Sequence, residues 1–573
     1  MVSVSVYNTW TKLLEVSALS KLKITASALA NEQFEIARNL PYADVGVVGG
    51  LPNGKIPHIQ TLSRNSINFT VTSTVRNVDD PFDGTIGGTP NDLSPADYRL
   101  MEVEITCDTC KNFQPFRVTT SVGPKNLETA STNGALFVKV FDAAGLPLAG
   151  ANVHIENTAA NPDIIIDDVT NSAGLLQIID APPGVGAYDI TVSKVGYSSE
   201  RTYPVGGGGN PNPSKPHATV AVQQVTQVSF AIDRVSTFNV STVRETCALV
   251  PNINFTLGGS KVIGTSPDVY KYSSVNVTNA SGGNTISGLE WDTYNPTFTD
   301  PSYDLVGTIP LFPLTLNTNT TQDVKFVVAL KNPSTLLVTV KDAATGLPVS
   351  GADVTISKVG YSNTLTTGRG FLRQTDWVGG AGQTIFTDPT RYYDSDTNVE
   401  TVLFPGELKL KSVFGGFLTA GNLTSSTFDT GSAGNFHQIL FEPQSQPPQV
   451  GANSVKFQIA TNNDNATWNF LGPDGTATTY YTLADNNINP LHNDKRYFRY
   501  KVFLSTADVN YTPAVSDISF TFTSSCVPPG QVAFSAIANG TYNILVSKDD
   551  YQDGVGEVEL ISSWQQTAIT ISP

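Results

Sequence analysis

Two stretches of this chain repeat each other, and the repeat limits the fold more than any other feature. LFVKVFDAAGLPLAGANVHI, from Leu136 to Ile155, matches LLVTVKDAATGLPVSGADVTI, from Leu336 to Ile356. Each reads as a strand that ends at an Asp (Asp142, Asp342), a tight turn with Gly (Gly145, Gly346), Leu-Pro, Gly-Ala and a second strand. The Gly supplies the positive φ of a short hairpin loop. The Pro stands where a strand edge needs no N–H donor. A second half-motif also recurs: GAYDITVSKVGYS (Gly186–Ser198) matches GTYNILVSKDDYQ (Gly540–Gln552). Asp142 and Tyr188 are 46 positions apart, whereas Asp342 and Tyr542 are 200 apart. The excess of 154 positions is the size of a domain. It implies that the last repeat is split, with another domain inserted near Gly368 and ending near Ser525.

The 573 residues exceed what one core organises, and about four to six domains are expected. The hydrophobic share of 40% is enough for packed cores. Only 15% of residues are charged, and Thr, Ser, Asn and Gly are abundant, as in extracellular β-rich proteins. A net charge of −16 excludes a nucleic-acid partner, because phosphates need a basic face. It also disfavours docking on anionic membranes, and it suits Ca²⁺.

Residues from about Val6 to Asn39 carry the one convincing helix. Trp10, Leu14, Ala18, Leu22, Ala26, Leu29, Ile36 and Leu40 follow steps of three, four or seven, which predicts one apolar stripe. Pro41 stops the helix, since the residue before a proline is pushed from the α region. Asn68–Val78, Tyr98–Thr106 and Phe116–Gly123 alternate like strands. A long helix on this small antiparallel sheet makes an α+β unit.

The opening segment, LKITASALANEQFEIARNLPYADVGVVGGLPNGKIP, then VDDPFDGTIGG and a strand ending VGPKNLE, resembles pilin-like proteins of type IV pili and type II secretion (pseudopilins). The resemblance covers about residues 6–128. It implies that the helix is the exposed half of a pilin N-terminal helix, with other pilin or pseudopilin subunits as partners. The half that would enter a membrane, with its prepilin-peptidase site, is not in this chain. The chain contains no run of about 18 apolar residues and no signal peptide, so any targeting segment is expected to lie outside it. The VxDxxGxPLxGAxV pattern at Val140–Val153 and Val340–Val354, with Gly186–Tyr197, resembles carboxypeptidase regulatory-like domains, which are transthyretin-like, Ig-like sandwiches.

The expected architecture is therefore mainly β and multidomain. It comprises a truncated pilin-like helix (1–41), a pilin-like antiparallel sheet (42–128), Ig-like repeat 1 (132–234) and a divergent Ig-like repeat 2 (235–333). A split Ig-like repeat 3 (334–369 plus 526–573) follows, interrupted by a larger inserted β-sandwich (370–525). The insert is similar in pattern to galactose-binding or laminin-G-like sandwiches.

The chemistry is sparse. Gly49, Gly54 and Lys55 have phosphate-loop spacing, but Ile56 follows the Lys, a helix precedes and Pro57 follows, so a post-helix turn is expected. Asp79, Asp80, Asp83, Asn91, Asp92 and Asp97 crowd one turn-rich loop whose hard oxygens suit Ca²⁺. A solvated loop with Asx turns is the competing reading. Asp394, Asp396 and Asn398 begin like an EF-hand loop, but Val399 and Pro405 break the pattern. Cys107 and Cys110 suit a local disulfide, with free thiols as the second reading, because one CxxC with no nearby His cannot make a four-ligand zinc site. Cys247 and Cys526 pair if repeats 2 and 3 touch. Trp468, Tyr480 and Tyr481, near Asn462 and Asp464, could stack and hydrogen-bond a sugar, although such aromatics more often fill a core. The five histidines are scattered, and HExxH and GxSxG are absent. These features favour a non-enzymatic, exported bacterial surface protein that presents sandwiches for adhesion. A carbohydrate-binding module acting through the insert is the alternative, and an extracellular hydrolase comes third.

Overall fold

The structure is a computed structural model that describes residues 2–125, 130–332, 334–383, 388, 390–484 and 486–573, with backbone alone for residues 2–9. The boundaries drawn at residues 128 and 333 lie outside them. The chain is mainly β and multidomain, with one N-terminal helix.

That helix, α1 (Val2–Asn39), ends two residues before Pro41. Among the residues whose side chains are described, its buried positions lie in the second half. Ala26, Leu29, Ala30, Gln33, Phe34 and Ala37 are buried, at spacings of three and four. They close on Phe69, Val71, Val75, Met101, Val103 and Ile105 of a four-stranded antiparallel meander. Its strands are β1 (Ile59–Arg64), β2 (Ile67–Val78), β3 (Tyr98–Thr106) and β4 (Phe116–Val122). Strand β1 is absent from the sequence expectation. It joins β2 through Asn65 and Ser66, both at positive φ (52° and 62°), as a two-residue hairpin of primed type requires.

The expected apolar stripe needs correction. Trp10 (65% exposed), Leu14 (56%) and Ile36 (48%) face solvent. At about 100° per residue, Ile36 falls roughly a quarter turn from the middle of the buried face. Trp10 and Leu14 lie outside the core that the second half of the helix shares with the sheet. Among the described residues no helix is long and apolar enough to cross a membrane.

Three sandwiches follow. In the first, Gly134–Phe141 pairs with Leu175–Ala181 antiparallel and with Val225–Ala231 in parallel, and Asn152–Asn157 lies between Ile164–Val169 and Gly184–Ser193. The third has the same wiring. Thr335–Asp342 pairs with Gln531–Ser535 antiparallel and with Trp564–Ile571 in parallel. Asp353–Lys358 lies between Tyr361–Thr366 and Gly540–Ser547. The second sandwich stacks sheets built on Ser236–Val243 and Asn254–Gly259 around Phe238, Phe255, Tyr294 and Phe326.

Matching hydrogen bonds locate the interruption. In the first sandwich Thr170 Oγ1 donates to Leu148 O (2.6 Å) and accepts from Ala151 N (3.0 Å). In the third, Thr367 Oγ1 donates to Val349 O (2.7 Å) and accepts from Ala352 N (3.0 Å). Val140 N donates to Gly174 O (2.7 Å), as Val340 N does to Gly530 O (2.8 Å). The turn Asn171–Ser172–Ala173 of the first sandwich therefore corresponds to residues 368–529 of the third.

Within that segment, Gly370–Gln374 and Asp517–Thr523 pair as antiparallel neighbours, so its two ends emerge side by side. They edge a large sheet with Phe428–Glu442, Lys495–Ser505, Ala420–Ser425 and Tyr392–Ser395. Its core holds Trp377, Tyr481, Phe498, Tyr500 and Phe520.

Candidate metal centre

Strands β2 and β3 are joined by the acidic loop 79–97, and the register of the strands fixes both of its ends. Asp79 follows the last residue of β2, and Asp97 precedes the first residue of β3. Asp92 is brought back between them by turns. Gly84 (φ 131°) allows this fold-back, because a Cβ there would stand 2.7 Å from Pro90 O.

One oxygen of each carboxylate accepts from the loop backbone. Asp79 Oδ2 accepts from Ile86 N (2.9 Å), Asp92 Oδ1 from Ser94 N (2.8 Å) and Asp97 Oδ2 from Asp80 N. The other three oxygens, Asp79 Oδ1, Asp92 Oδ2 and Asp97 Oδ1, are buried with no donor. One ligand atom from each residue lies within 4.8 Å of those of the other two. Burial, followed in smaller measure by the neighbouring acids, raises the Asp79 and Asp97 carboxyls above their ordinary range. Buried carboxylate oxygens without a donor, on three residues whose ligand atoms lie this close, suit a hard divalent cation; Ca²⁺, which takes about 6–8 oxygens, would need further ligands beside them.

The six expected ligands divide. Asp79, Asp92 and Asp97 converge. Asp80 Oδ1 instead accepts from Phe82 N (3.1 Å), Asn91 Oδ1 accepts from Gly87 N (2.6 Å), and Asp83 is exposed. The spacing of the acids along the loop gave no sign of which three would meet. The loop also braces a joint: Ile86 is buried against Ala135 and Ile179 of the first sandwich. Beside it, Arg76 makes a two-point ion pair with Asp168 (2.5 Å each), and Asn77 Nδ2 donates to Ile179 O (3.2 Å).

The other sequence candidates fall elsewhere. Lys55 pairs with Asp44 (2.8 Å). Asp396 accepts from the backbone and side-chain nitrogens of Asn422 (2.9 and 2.6 Å). Cys107 is bonded to Cys110, and Cys247 to Cys526. The five sugar candidates do not form one face. Tyr481 is fully buried in the insert core. Asn462 and Asp464 are engaged in their own loop: Asn462 Nδ2 donates to Thr467 O (2.7 Å), and Asp464 Oδ1 accepts from Ala466 N (2.9 Å). Trp468 is covered by the Arg499 guanidinium at 4.2 Å. Tyr480 alone lines an open cleft of about 740 Å³, with Lys456, Asp474, Asn487 and Asn489. Tyr480 and Tyr481 belong to no strand, and Tyr481 is drawn inward by an isolated bridge to Phe457, which no local pattern in the sequence marks.

No family model matches the chain, and no curated protein matches it. Among solved structures, it is similar to the TIE protein of Bacillus anthracis at 12% identity, over 55% of this chain and 67% of that one, with a TM-score of 0.15. A minor pilin of Streptococcus agalactiae matches at 15% identity over 35% of this chain and 99% of its own, with a TM-score of 0.17. A shaft pilin of Lactobacillus rhamnosus GG matches at 11% identity over 35% and 98%, with a TM-score of 0.14. Scores of this size support no inference about the arrangement or activity of this chain.

Proposed function

We propose that the chain is a non-enzymatic structural protein of a bacterial surface, seated through α1 in a pilin- or pseudopilin-like assembly and presenting its sandwiches for contact. The observation that supports this most is the exposed apolar stretch of α1 from Trp10 to Val16. Trp10, Leu13, Leu14 and Val16 are each more than half exposed on a helix whose second half is firmly bound to a sheet. A contiguous apolar helical surface of this kind favours burial against other helices. The resemblance of residues 6–128 to pilin-like proteins supplies the class of partner: further copies or related subunits. In this reading Ca²⁺ bound by Asp79, Asp92 and Asp97 stiffens the joint between the seat and the first sandwich.

Shearing of producing cells tests the proposal. The wild-type chain is expected in the sheared filament fraction. A Leu13→Glu/Leu14→Glu variant is expected in the medium, folded by circular dichroism. Wild-type protein confined to the cytosol, or a variant that stays filament-bound, overturns the reading.

A second reading, a glycan site on the insert, draws on Tyr480 and its polar cleft alone. It predicts glycan-array binding that is lost on Tyr480→Ala. Absence of binding to any glycan removes it.

A further inference from the structure

The insert is held by a sandwich that is not its host. Residues 244–247, just past the strand Ser236–Val243 of the second sandwich, meet it at several points. Gly431 of the insert lies so close to Thr246 that a Cβ would stand 1.5 Å from Thr246 O. Phe371 N donates to the Glu245 carboxylate (3.2 Å), and Ser524 Oγ donates to Glu245 O (3.0 Å). Both stems of the insert thus contact one turn of the second sandwich. Cys526 is buried in an apolar cluster with Val243, Val306 and Val327, and Lys325 Nζ donates to Ser525 O (3.0 Å). The Cys247–Cys526 bridge closes this contact covalently across 279 positions.

Two covalent routes therefore connect the strand Ser236–Val243 with the insert. The long one follows the backbone from residue 248 through the rest of the second sandwich and the first half of the third, and enters the insert at Gly370–Gln374. The short one crosses the disulfide and enters three residues away, at the end of Asp517–Thr523. When two routes run in parallel, the one with less slack takes the force.

We propose that the Cys247–Cys526 bridge is a tension shortcut. Force between the N-terminal module and the insert passes through the disulfide and leaves residues 248–369 and 527–573 outside the loaded path. Without the bridge, the same force would enter the third sandwich at Thr335–Asp342 and leave it at Tyr361–Thr366, peeling apart the half that the insertion separated from its partner strands. The surface-assembly reading supplies only the direction of force; the route itself stands independently of whether filaments form.

Single-molecule pulling of the full chain tests the proposal, with one handle at the N-terminal end and one at the exposed residue Ala477 of the insert. The oxidised chain is expected to reach a full extension shorter by about 180 residues, roughly 60 nm at ~3.4 Å per residue, than the same chain in reductant. It should also show no release of length from residues 248–369. Cys526→Ser, with circular dichroism like that of the wild type, is expected to behave as the reduced chain. Equal extension with and without reductant overturns the proposal, as does release of the shielded sandwiches while the bridge is closed. The comparison of oxidised and reduced wild-type chain decides the matter if the variant does not fold.

Discussion

The first and third sandwiches are the same construction made in two ways. One uses continuous chain, residues 134–231; the other draws its strands from 335–366 and 531–571. The strand order, the parallel pairing of first and last strands, and the Thr and Gly hydrogen bonds at the interruption are alike in both. The difference is a three-residue turn in one and a folded domain in the other. Topology here is held by cross-strand hydrogen bonds and a shared core, and chain continuity at that turn contributes little. The insertion is tolerated because its two ends are already neighbouring strands, so it closes the host loop at small entropic cost.

The largest expected effect comes from the buried tyrosines. Tyr188 donates to Pro182 O (2.6 Å) and Tyr542 to Ala538 O (2.7 Å), and both side chains are fully buried. Tyr188→Ala and Tyr542→Ala should each cost about 3–5 kcal/mol. Hydrogen exchange should rise in the affected sandwich alone, with the insert still protected in Tyr542→Ala. If the insert loses protection as well, insert and host form one cooperative unit, and the comparison breaks.

Acid should separate the insert from its host. His492 is 3% exposed, and burial lowers it to about 4. The unfolded chain takes up that proton near 6.5, so the insert's stability is full above that value and falls as pH drops towards 4, by about 3 kcal/mol in all. His437 is lowered by burial and by Arg369, and adds in the same direction. The third sandwich contains no histidine and should not share this loss. Melting of the insert at pH 7 and pH 4.5 checks this, and His492→Gln should flatten the dependence.

The N-terminal module should respond with the opposite sign. In chelator, Asp79 and Asp97 hold protons more tightly when folded, so acidification through their raised range stabilises the module, and raising the pH removes that gain. Ca²⁺ at a hundred times its Kd should add about 2.7 kcal/mol at neutral pH. That gain should reach the first sandwich, which the acidic loop touches, and leave the third unchanged. Calorimetry with Ca²⁺ and with Asp92→Asn measures both effects.

The smallest effects sharpen the match itself. Thr170→Val and Thr367→Val each leave a buried N–H without its acceptor, and should each cost about 1–3 kcal/mol. Equal costs in chemical denaturation support equivalence; a cost confined to the first sandwich would show that the interrupted one has relaxed around its insert.

The repeat was legible because hairpin turns and inward-facing residues impose strict local sequence. The spacing of the repeat put the insertion near Gly368; the bonds of Thr367 and Gly530 that bracket it are not visible in a linear sequence. The helix was legible from its period. Its buried face was legible in part, at Leu22, Ala26, Leu29 and Leu40; a period does not say where the sheet ends, and Ala30 and Ala37 give weak signals beside Trp10 and Ile36. The acidic loop stood out by composition. The convergence of Asp79, Asp92 and Asp97 depends on turns that bring residues 79 and 97 together at paired strand ends.

The central claim is that the first half of α1 is a seat for another helix. A photo-crosslinking amino acid at Leu14, in the full chain made by its own cells, tests it most directly. The account predicts crosslinks to further copies or related subunits from Leu14, and none from Thr191 in the first sandwich. A chain that remains uncrosslinked at Leu14, or that crosslinks only within itself, contradicts it.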